Sequence, residues 1–336
     1  MNKLIVPPGY KSKLDVMQTE RAIKELRLNF ESELAKALNL VRVSAPLFVY
    51  PETGLNDNLN GVERPVSFDI GEQNGRRAEI VHSLAKWKRY ALHRYGFKRG
   101  EGIYTNMNAI RREEETDNLH SIYVDQWDWE KVISREERDI PLLQETVRAI
   151  YAAIRATEAF VSENFPQIKR SLPENIAFVQ SQELEDEYPD LTPKEREYMV
   201  AKKYGAVFII GIGGALKSGN IHDGRAADYD DWLLNGDIFV YYDEMDLAVE
   251  LSSMGIRVDA ASLKHQLDVR GQQDKLNLPY HKAILSDELP LSIGGGIGQS
   301  RLCMVLLKKA HIGEVQVSLW PPETEQECEK AGIHLL

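Results

Sequence analysis

Stretches of β character recur along the whole chain, yet the helical segments between them vary in length and no steady strand–helix–strand rhythm appears. A parallel sheet needs that rhythm, because every crossover must carry the chain back through a dozen or more residues, usually as a helix. The pattern therefore predicts an α+β fold around a mainly antiparallel sheet, read as one continuous domain over 1–336. No internal repeat, low-complexity tract or Pro/Ser linker divides it. Apolar steps of three and four predict a helix over 19–39, with Ile23, Leu26, Phe30, Leu34 and Leu38 in one stripe, Thr19 as its N-cap and Asn39 as its stop. Pro141 opens a second, with Val147, Ile150, Tyr151, Ile154 and Phe160 or Val161 on one face. Thr192-Pro193-Lys194-Glu195 starts a third with a cap, a first-turn proline and a capping-box partner, and it ends near Gly205. Predicted strands cover 40–47, demoted to an edge or bend by Pro46, then 206–210, 238–242, 247–251 and 315–319. Asp259 is read as the cap of a helix carrying Leu263 and Leu267, and 300–309 as a compact apolar helix.

Hydrophobic residues at 43% and charged residues at 28% exclude disorder as the main state. Forty-one Lys and Arg against 52 Asp and Glu leave a net charge of −11. That balance lacks the clustered basic footprint of non-specific nucleic-acid or anionic-membrane binding, while leaving room for a local pocket for one small phosphate compound. Cys303 and Cys328 form no CxxC or Cys/His metal spacing, which excludes a disulfide framework and fits a reducing cytoplasm. Near the N-terminus Lys3, Pro7, Pro8, Lys11, Lys13 and Asp15 interrupt the apolar pieces, so no signal-peptide core forms. The most apolar stretch, 206–216, falls short of the ~18 residues of a membrane span. A cytoplasmic protein without membrane contact is expected.

The familiar nucleotide motifs fail on spacing. In Gly294-Gly295-Gly296-Ile297-Gly298-Gln299 the third glycine of GxGxxG would fall on Gln299, and in 211–218 Leu216 stands where a phosphate loop needs glycine before Lys217. No HExxH, GxSxG or Cys/His nucleophile pair is present. Three segments carry chemistry instead. Residues 294–302, GGGIGQSRL, read as a glycine turn delivering Arg301, a planar fork for phosphate or carboxylate, into a helix; a surface Arg on a helix N-terminal turn is the plain alternative. Residues 102–130 read as strand, polar loop, strand, with Arg111 and Arg112 before an acidic tip, Glu113-Glu114-Glu115. There Asp125, Gln126 and Asp128 sit among aromatics, where carboxylates need partners. Residues 250–259, ELSSMGIRVD, read as a strand carrying Glu250, two hydroxyls and an Arg.

In this order the segments resemble the three motifs of class II aminoacyl-tRNA synthetase catalytic domains: 40–47 with Pro46 as the dimer element, Ala109-Ile110-Arg111 with its hairpin as the second, and GGGIGQSR as the third. Further strings, Asn56-Asp57-Asn58-Leu59, HSLAKWKR at 82–89, YVDQWDWE at 123–130, RAADYDDW at 225–232, LNGD at 234–237 and 249–259, bring the resemblance to the ammonia-dependent asparagine synthetase (aspartate–ammonia ligase) family over nearly the whole chain. One departure is a short joint between Trp232 and Leu234, where a longer loop is expected. The first motif begins near residue 20 and the third ends near 310, which leaves no room for an anticodon-binding domain.

The resemblance implies an antiparallel sheet flanked by helices, a homodimer, and the reaction aspartate + ATP + ammonia → asparagine + AMP + pyrophosphate with Mg²⁺. It implies Arg111 on the α-phosphate, Arg301 on the distal phosphates, Asp237 and Glu250 on Mg²⁺, and Ser252 and Ser253 beside the nucleotide. Lys88 and Arg225 are the candidates for the aspartate carboxylates. Asp57, Asp125 or Asp230 are candidates for the α-amino group or the incoming ammonium, with Ser83 and Gln126 orienting the substrate. From the residues alone Lys88, in Lys86-Trp87-Lys88-Arg89, reads as part of a solvated helix face, and His82 and His120 read as structural hydrogen-bonders. Other readings are a ligase that charges tRNA or protein, and a catalytically dead amino-acid-binding subunit; the latter should have lost Arg111, Arg301 or the acidic pair, and all are present.

Overall fold

The computed structural model describes residues 4–57, 59 and 63–336. Lys3 and Asn58, quoted above, lie outside them. Helix α1 (Val16–Leu38) is capped by Asp15, whose carboxylate accepts from the Gln18 amide while the Gln18 side chain accepts from Asp15 N. The start thus lies ahead of Thr19, whose buried hydroxyl donates to Asp15 O. Periodicity placed it late because the first turn is exposed apart from Thr19 and the apolar stripe begins at Ala22. Asn39, in the left-handed region at φ 58°, ends the helix as expected.

The chain continues through β1 (Leu40–Arg42), β2 (Phe48–Val49), β3 (Ser67–Ile70), β4 (Arg76–Ile80), α2 (Ala85–Tyr95), β5 (Gly102–Ile110), β6 (Tyr123–Val132) and α3 (Ile140–Asn164). Then come β7 (Ala177–Gln180), α4 (Ser181–Glu187), α5 (Pro193–Tyr204), β8 (Ala206–Ile210), β9 (Asp230–Tyr242), β10 (Leu247–Arg257) and α6 (Ala260–Val269). Last are α7 (Pro279–Leu285), β11 (Ser292–Gly298), α8 (Gln299–Leu306) and α9 (Pro322–Ala331). Eight strands form one sheet in the order β1-β5-β6-β11-β10-β9-β8-β7, and β2-β4-β3 form a small second sheet. Every interior pair of the large sheet is antiparallel; only the edge pairs β1–β5 and β7–β8 are parallel. The mainly antiparallel sheet flanked by helices is therefore as predicted.

One face of the sheet lies under α1, α3 and α8. There Phe30 meets Trp127 with ring centroids 4.6 Å apart, in a core that also holds Trp129, Ile150, Ile154, Phe208, Met254 and Ile297. The capping box at Thr192 forms as read, and Asp259 caps its helix as read, with Ser262 closing a box there too. The short joint between Trp232 and Leu234 is as read, since β9 runs straight through both. Three expectations need correction. The strand over 40–47 survives only as β1, a sheet edge; the chain bends around Pro46 before β2. Residues 315–319 form no strand: Val317 and Leu319 are 68% and 77% exposed, so their alternation meets no partner. The glycines of 294–298 are a strand, β11, between β6 and β10, rather than a turn. A Cβ at Gly294 would lie 2.0 Å from Glu130 Oε2, and one at Gly296 2.5 Å from Gln126 Oε1. These glycines make room for polar side chains of the neighbouring strand.

Candidate active site

The opposite face of the sheet carries a cleft of about 450 Å³. All thirteen residues singled out from the sequence line it: Asp57, Ser83, Lys88, Arg111, Asp125, Gln126, Arg225, Asp230, Asp237, Glu250, Ser252, Ser253 and Arg301. Its walls are β6, β9, β10 and β11, the turn after β5, the start of α8 and the segments around Asp57 and Arg225.

A buried lattice of charge forms its floor. Arg257, 2% exposed, donates from Nη2 to Glu130 Oε2 at 2.7 Å and from Nη1 to Asp230, while Ser292 Oγ donates to Glu130 Oε1 at 2.7 Å. Arg225 binds Asp237 Oδ1 at 2.5 Å and Ser253 Oγ, and lies 3.7 Å from Asp230 Oδ2. Lys88 Nζ lies 3.1 Å from Asp128 Oδ2 and donates to Gly295 O at 2.8 Å. Such charges are tolerable only because each has a partner; one left alone would cost several kcal/mol. Burial pulls the Lys88 ammonium down against Asp128, and burial raises the Asp230 carboxyl despite Arg257 and Arg225. At Glu130 burial is outweighed by Arg257, which holds the carboxyl low. The solvated-face reading of α2 is thereby overturned. Lys86, Lys88 and Arg89 are all buried, Lys86 on Asp228 at 2.9 Å and Arg89 on the carbonyls of Pro290 and Val258.

A register shift in β10 between Glu250 and Ser252 lets Glu250 and Ser253, three positions apart, both reach the cleft. Burial, then Asp237, raises the Glu250 carboxyl. Arg301 Nη1 donates to Glu250 O at 3.1 Å, and Arg111 Nε is buried without a hydrogen-bond partner among the described residues. Asp57 accepts from Ser83 Oγ and from Leu59 N, both at 2.8 Å, so it caps a turn and also faces the cleft. Asp230 pairs chiefly with Arg257 rather than with Arg225. Asp125 differs from its neighbours: both its oxygens accept from the protein, Oδ2 from Arg27 Nη2 of α1 at 2.8 Å and Oδ1 from Ser300 N at 3.1 Å. His120 binds Asp117 and His82 binds Asp57 O, structural contacts in both cases, although His120 also lines the cleft. Glu113 and Glu114 of the acidic tip line it too.

Sequence reasoning left Arg257 and Glu130 without roles. The signal that finds them is the glycine run itself, since a central strand stripped of side chains implies bulky polar groups on its neighbours.

The family model described as aspartate–ammonia ligase matches residues 17–332. An aspartate–ammonia ligase of Clostridium perfringens (strain ATCC 13124) is 60% identical over 336 residues, 100% of both chains. One from Bacillus cytotoxicus is 61% identical over 326 residues, 97% of this chain and 99% of that one. Among solved structures, asparaginyl-tRNA synthetase from Pyrococcus horikoshii complexed with asparaginyl-adenylate superposes with a TM-score of 0.66 at 14% identity, covering 90% of this chain and 70% of that one. Aspartyl-tRNA synthetase from Entamoeba histolytica gives 0.60 at 14% identity, covering 91% and 59%. At such identities the likeness shows the fold, that of class II aminoacyl-tRNA synthetases.

Proposed function

The chain belongs to the aspartate–ammonia ligase family and is a ligase for aspartate and ammonia; we propose that it works through a β-aspartyl-adenylate, releasing pyrophosphate and then AMP. A carboxylate is a poor acyl donor because oxide leaves badly, and transfer to the α-phosphate of ATP turns AMP into the leaving group. That first step is an in-line displacement in which positioning and charge stabilisation carry the catalysis. The observation supporting this reading is the convergence of all thirteen residues, from segments spread over the chain, on one cleft that Lys88, Arg111, Arg225 and Arg301 all line.

Arg111, whose Nε lacks a partner, holds the α-phosphate, and Arg301 the distal phosphates. Ser252 and Ser253 flank the nucleotide. Asp237 and Glu250 fit Mg²⁺. Among the described residues no three or more His, Cys, Asp and Glu gather as a metal cage, and Mg²⁺ characteristically takes one or two carboxylates plus substrate phosphates. Burial raises the Glu250 carboxyl first and the charge of Asp237 adds to it, and a dication would relieve that second part. When bound, the ion neutralises charge on the phosphate oxygens. Lys88 and Arg225 receive the aspartate carboxylates, and Ser83 and Gln126 orient the substrate.

Ammonium has no lone pair, so a carboxylate must bind the cation and take a proton as the acyl carbon is attacked. Asp230 sits between two guanidiniums, which suits it poorly to a further cation. Asp57 carries no ion pair among the described residues and is the first choice. Asp57→Asn should spare aspartate-dependent pyrophosphate–ATP exchange while asparagine formation collapses. Equal loss of both would make Asp57 a substrate or metal residue instead. Pyrophosphate release measured with aspartate and ATP, with ammonium chloride or with tRNA, tests the acceptor: stimulation by tRNA alone overturns the reading.

The assembly is a homodimer. Met17 and Leu28 of α1 and Val41 of the edge strand β1 are 63%, 58% and 58% exposed, and a second copy of the chain would cover them. Sedimentation as a monomer at micromolar concentration would exclude it.

A further inference from the structure

We propose that Asp125 is a positioning residue that caps α8 from the neighbouring strand and, together with Arg27, fixes the place of Arg301. The proposal rests on the reading of Arg301 as a phosphate ligand.

Helix α8 starts directly off β11. Its N-cap is Gly298, which has no side chain to satisfy the first free amides of the helix. The missing cap comes from outside the helix. Ser300 N, in the first turn, donates to Asp125 Oδ1 at 3.1 Å, and a carboxylate at that end also opposes the helix dipole favourably. The same turn is fastened to β6 a second time, because Gln299 Nε2 donates to Gln126 O at 3.1 Å. Arg301 is the next residue, and its guanidinium leans on the carbonyls of Leu119 and Glu250 at the cleft wall.

Asp125 is itself held. Arg27 of α1 donates to Oδ2 at 2.8 Å, and Gln316 Nε2 reaches both Asp125 Oδ1 at 3.4 Å and Ser300 Oγ at 3.0 Å. These contacts occupy Oδ1 twice and Oδ2 once, so most of the accepting capacity of Asp125 is spent on the protein itself. Strand alternation sets Asp125 on the side of the core residues Trp127 and Trp129, at a point where it still borders the cleft that Gln126 and Asp128 line. The chain Arg27–Asp125–Ser300 therefore connects the outer helix α1 to the turn that presents Arg301.

The test compares steady-state KM values for ATP, aspartate and ammonium in Asp125→Ala, Asp125→Asn, Arg27→Met, Arg27→Lys and Arg301→Ala, with thermal unfolding followed in parallel. Asp125→Ala and Arg27→Met should raise KM for ATP by roughly tenfold, since small misplacement of a binding group is costly. KM for aspartate and for ammonium should stay within about twofold of the parent. Asp125→Asn and Arg27→Lys, which keep an acceptor and a donor, should recover part of the loss. The combination of Asp125→Ala with Arg301→Ala should be no worse than Arg301→Ala alone, because a residue acting through Arg301 has nothing left to place. A fully additive double variant, or a selective rise in KM for aspartate or ammonium, overturns the proposal. If Arg301→Ala raises KM for ATP and the Asp125 variants do not, the cap falls and the phosphate reading stands; if Arg301→Ala itself leaves KM for ATP unchanged, both fall. Should Asp125→Ala not fold, the Asn and Lys variants decide the matter on the same KM comparison.

Discussion

Strand β6 sends Trp127 and Trp129 to one side of the sheet and Asp128 and Glu130 to the other, and all four are at most 1% exposed. Burial is equal and chemistry is opposite. Beneath the sheet the indoles lie in the core with Phe30 and the apolar stripes of α1 and α3. Dispersion and area set the energy there, so a lost contact is a graded loss. Above the sheet Asp128 and Glu130 answer to Lys88 and Arg257, and removal of one partner strands a charge. The first side tolerates repacking; the second behaves as a unit.

The strongest challenge to that distinction is Arg257→Met. It leaves Glu130 and Asp230 facing each other without their shared cation and should cost about 3–5 kcal/mol in urea unfolding, with turnover lost. A stable, active Arg257→Met protein would show that the charged side is as forgiving as the apolar one. Arg301→Ala lies at the open edge of the same side and contacts no buried carboxylate closer than 3.8 Å. Turnover should drop about 100-fold or more, roughly 3 kcal/mol, while the unfolding midpoint hardly moves. A large fall in melting temperature would place Arg301 in the structural lattice instead. On the apolar side, Ile150→Val should cost about 1 kcal/mol in stability and leave kcat/KM per folded molecule unchanged. Altered kinetics in that variant would mean the two sides are coupled.

A smaller effect comes from neither side. In the turn between β9 and β10, burial and the nearby Asp243 push the Glu244 carboxyl up to about 7, against Lys308. A carboxyl whose folded pKa exceeds its unfolded value favours the folded state when protonated. Its contribution is full below pH 4.5 and fades as pH rises through 7. Glu244→Gln should flatten the fall in urea midpoint between pH 5 and 8; an unchanged slope would remove Glu244 as its source.

The apolar side was legible because its signal is local. Ile23 to Leu38 repeat within one helix, and the capping boxes at Thr192 and Asp259 lie within four residues. Where local signals misled, a tertiary partner was missing or unexpected. The Val315–Val317–Leu319 alternation has no strand to pair with, and the polar helix α2 owes its burial to carboxylates far along the chain, as Lys86 and Asp228 lie 142 residues apart. The cleft residues themselves came from motif resemblance and from carboxylates in a strand. Their pairing could not be read, since Arg257 and Glu130 stand 127 residues apart and nothing between them encodes the contact. Asp125 shows the limit most plainly: beside Gln126 on the cleft wall, it is tied to Arg27 of α1 and to the start of α8, contacts that no local pattern announces.

The glycine strand β11 also governs the order in which the molecule can be completed. Among the described residues it is the only link along the sheet between the half made of β1, β5 and β6 and the half made of β10, β9, β8 and β7. During synthesis both halves precede it, so β6 and β10 wait with unpaired backbone edges until residues 292–298 have left the ribosome. The closing strand brings only Ser292, Ile293 and Ile297 as side chains, so its insertion is rewarded by two buried isoleucines, by backbone pairing and by the polar groups already waiting on either flank. Long-range pairing of this kind is slow. A pause in translation just upstream of residue 292 would lengthen the interval in which two open edges can find other chains, and a chaperone that shields strand edges would act on this intermediate above all others.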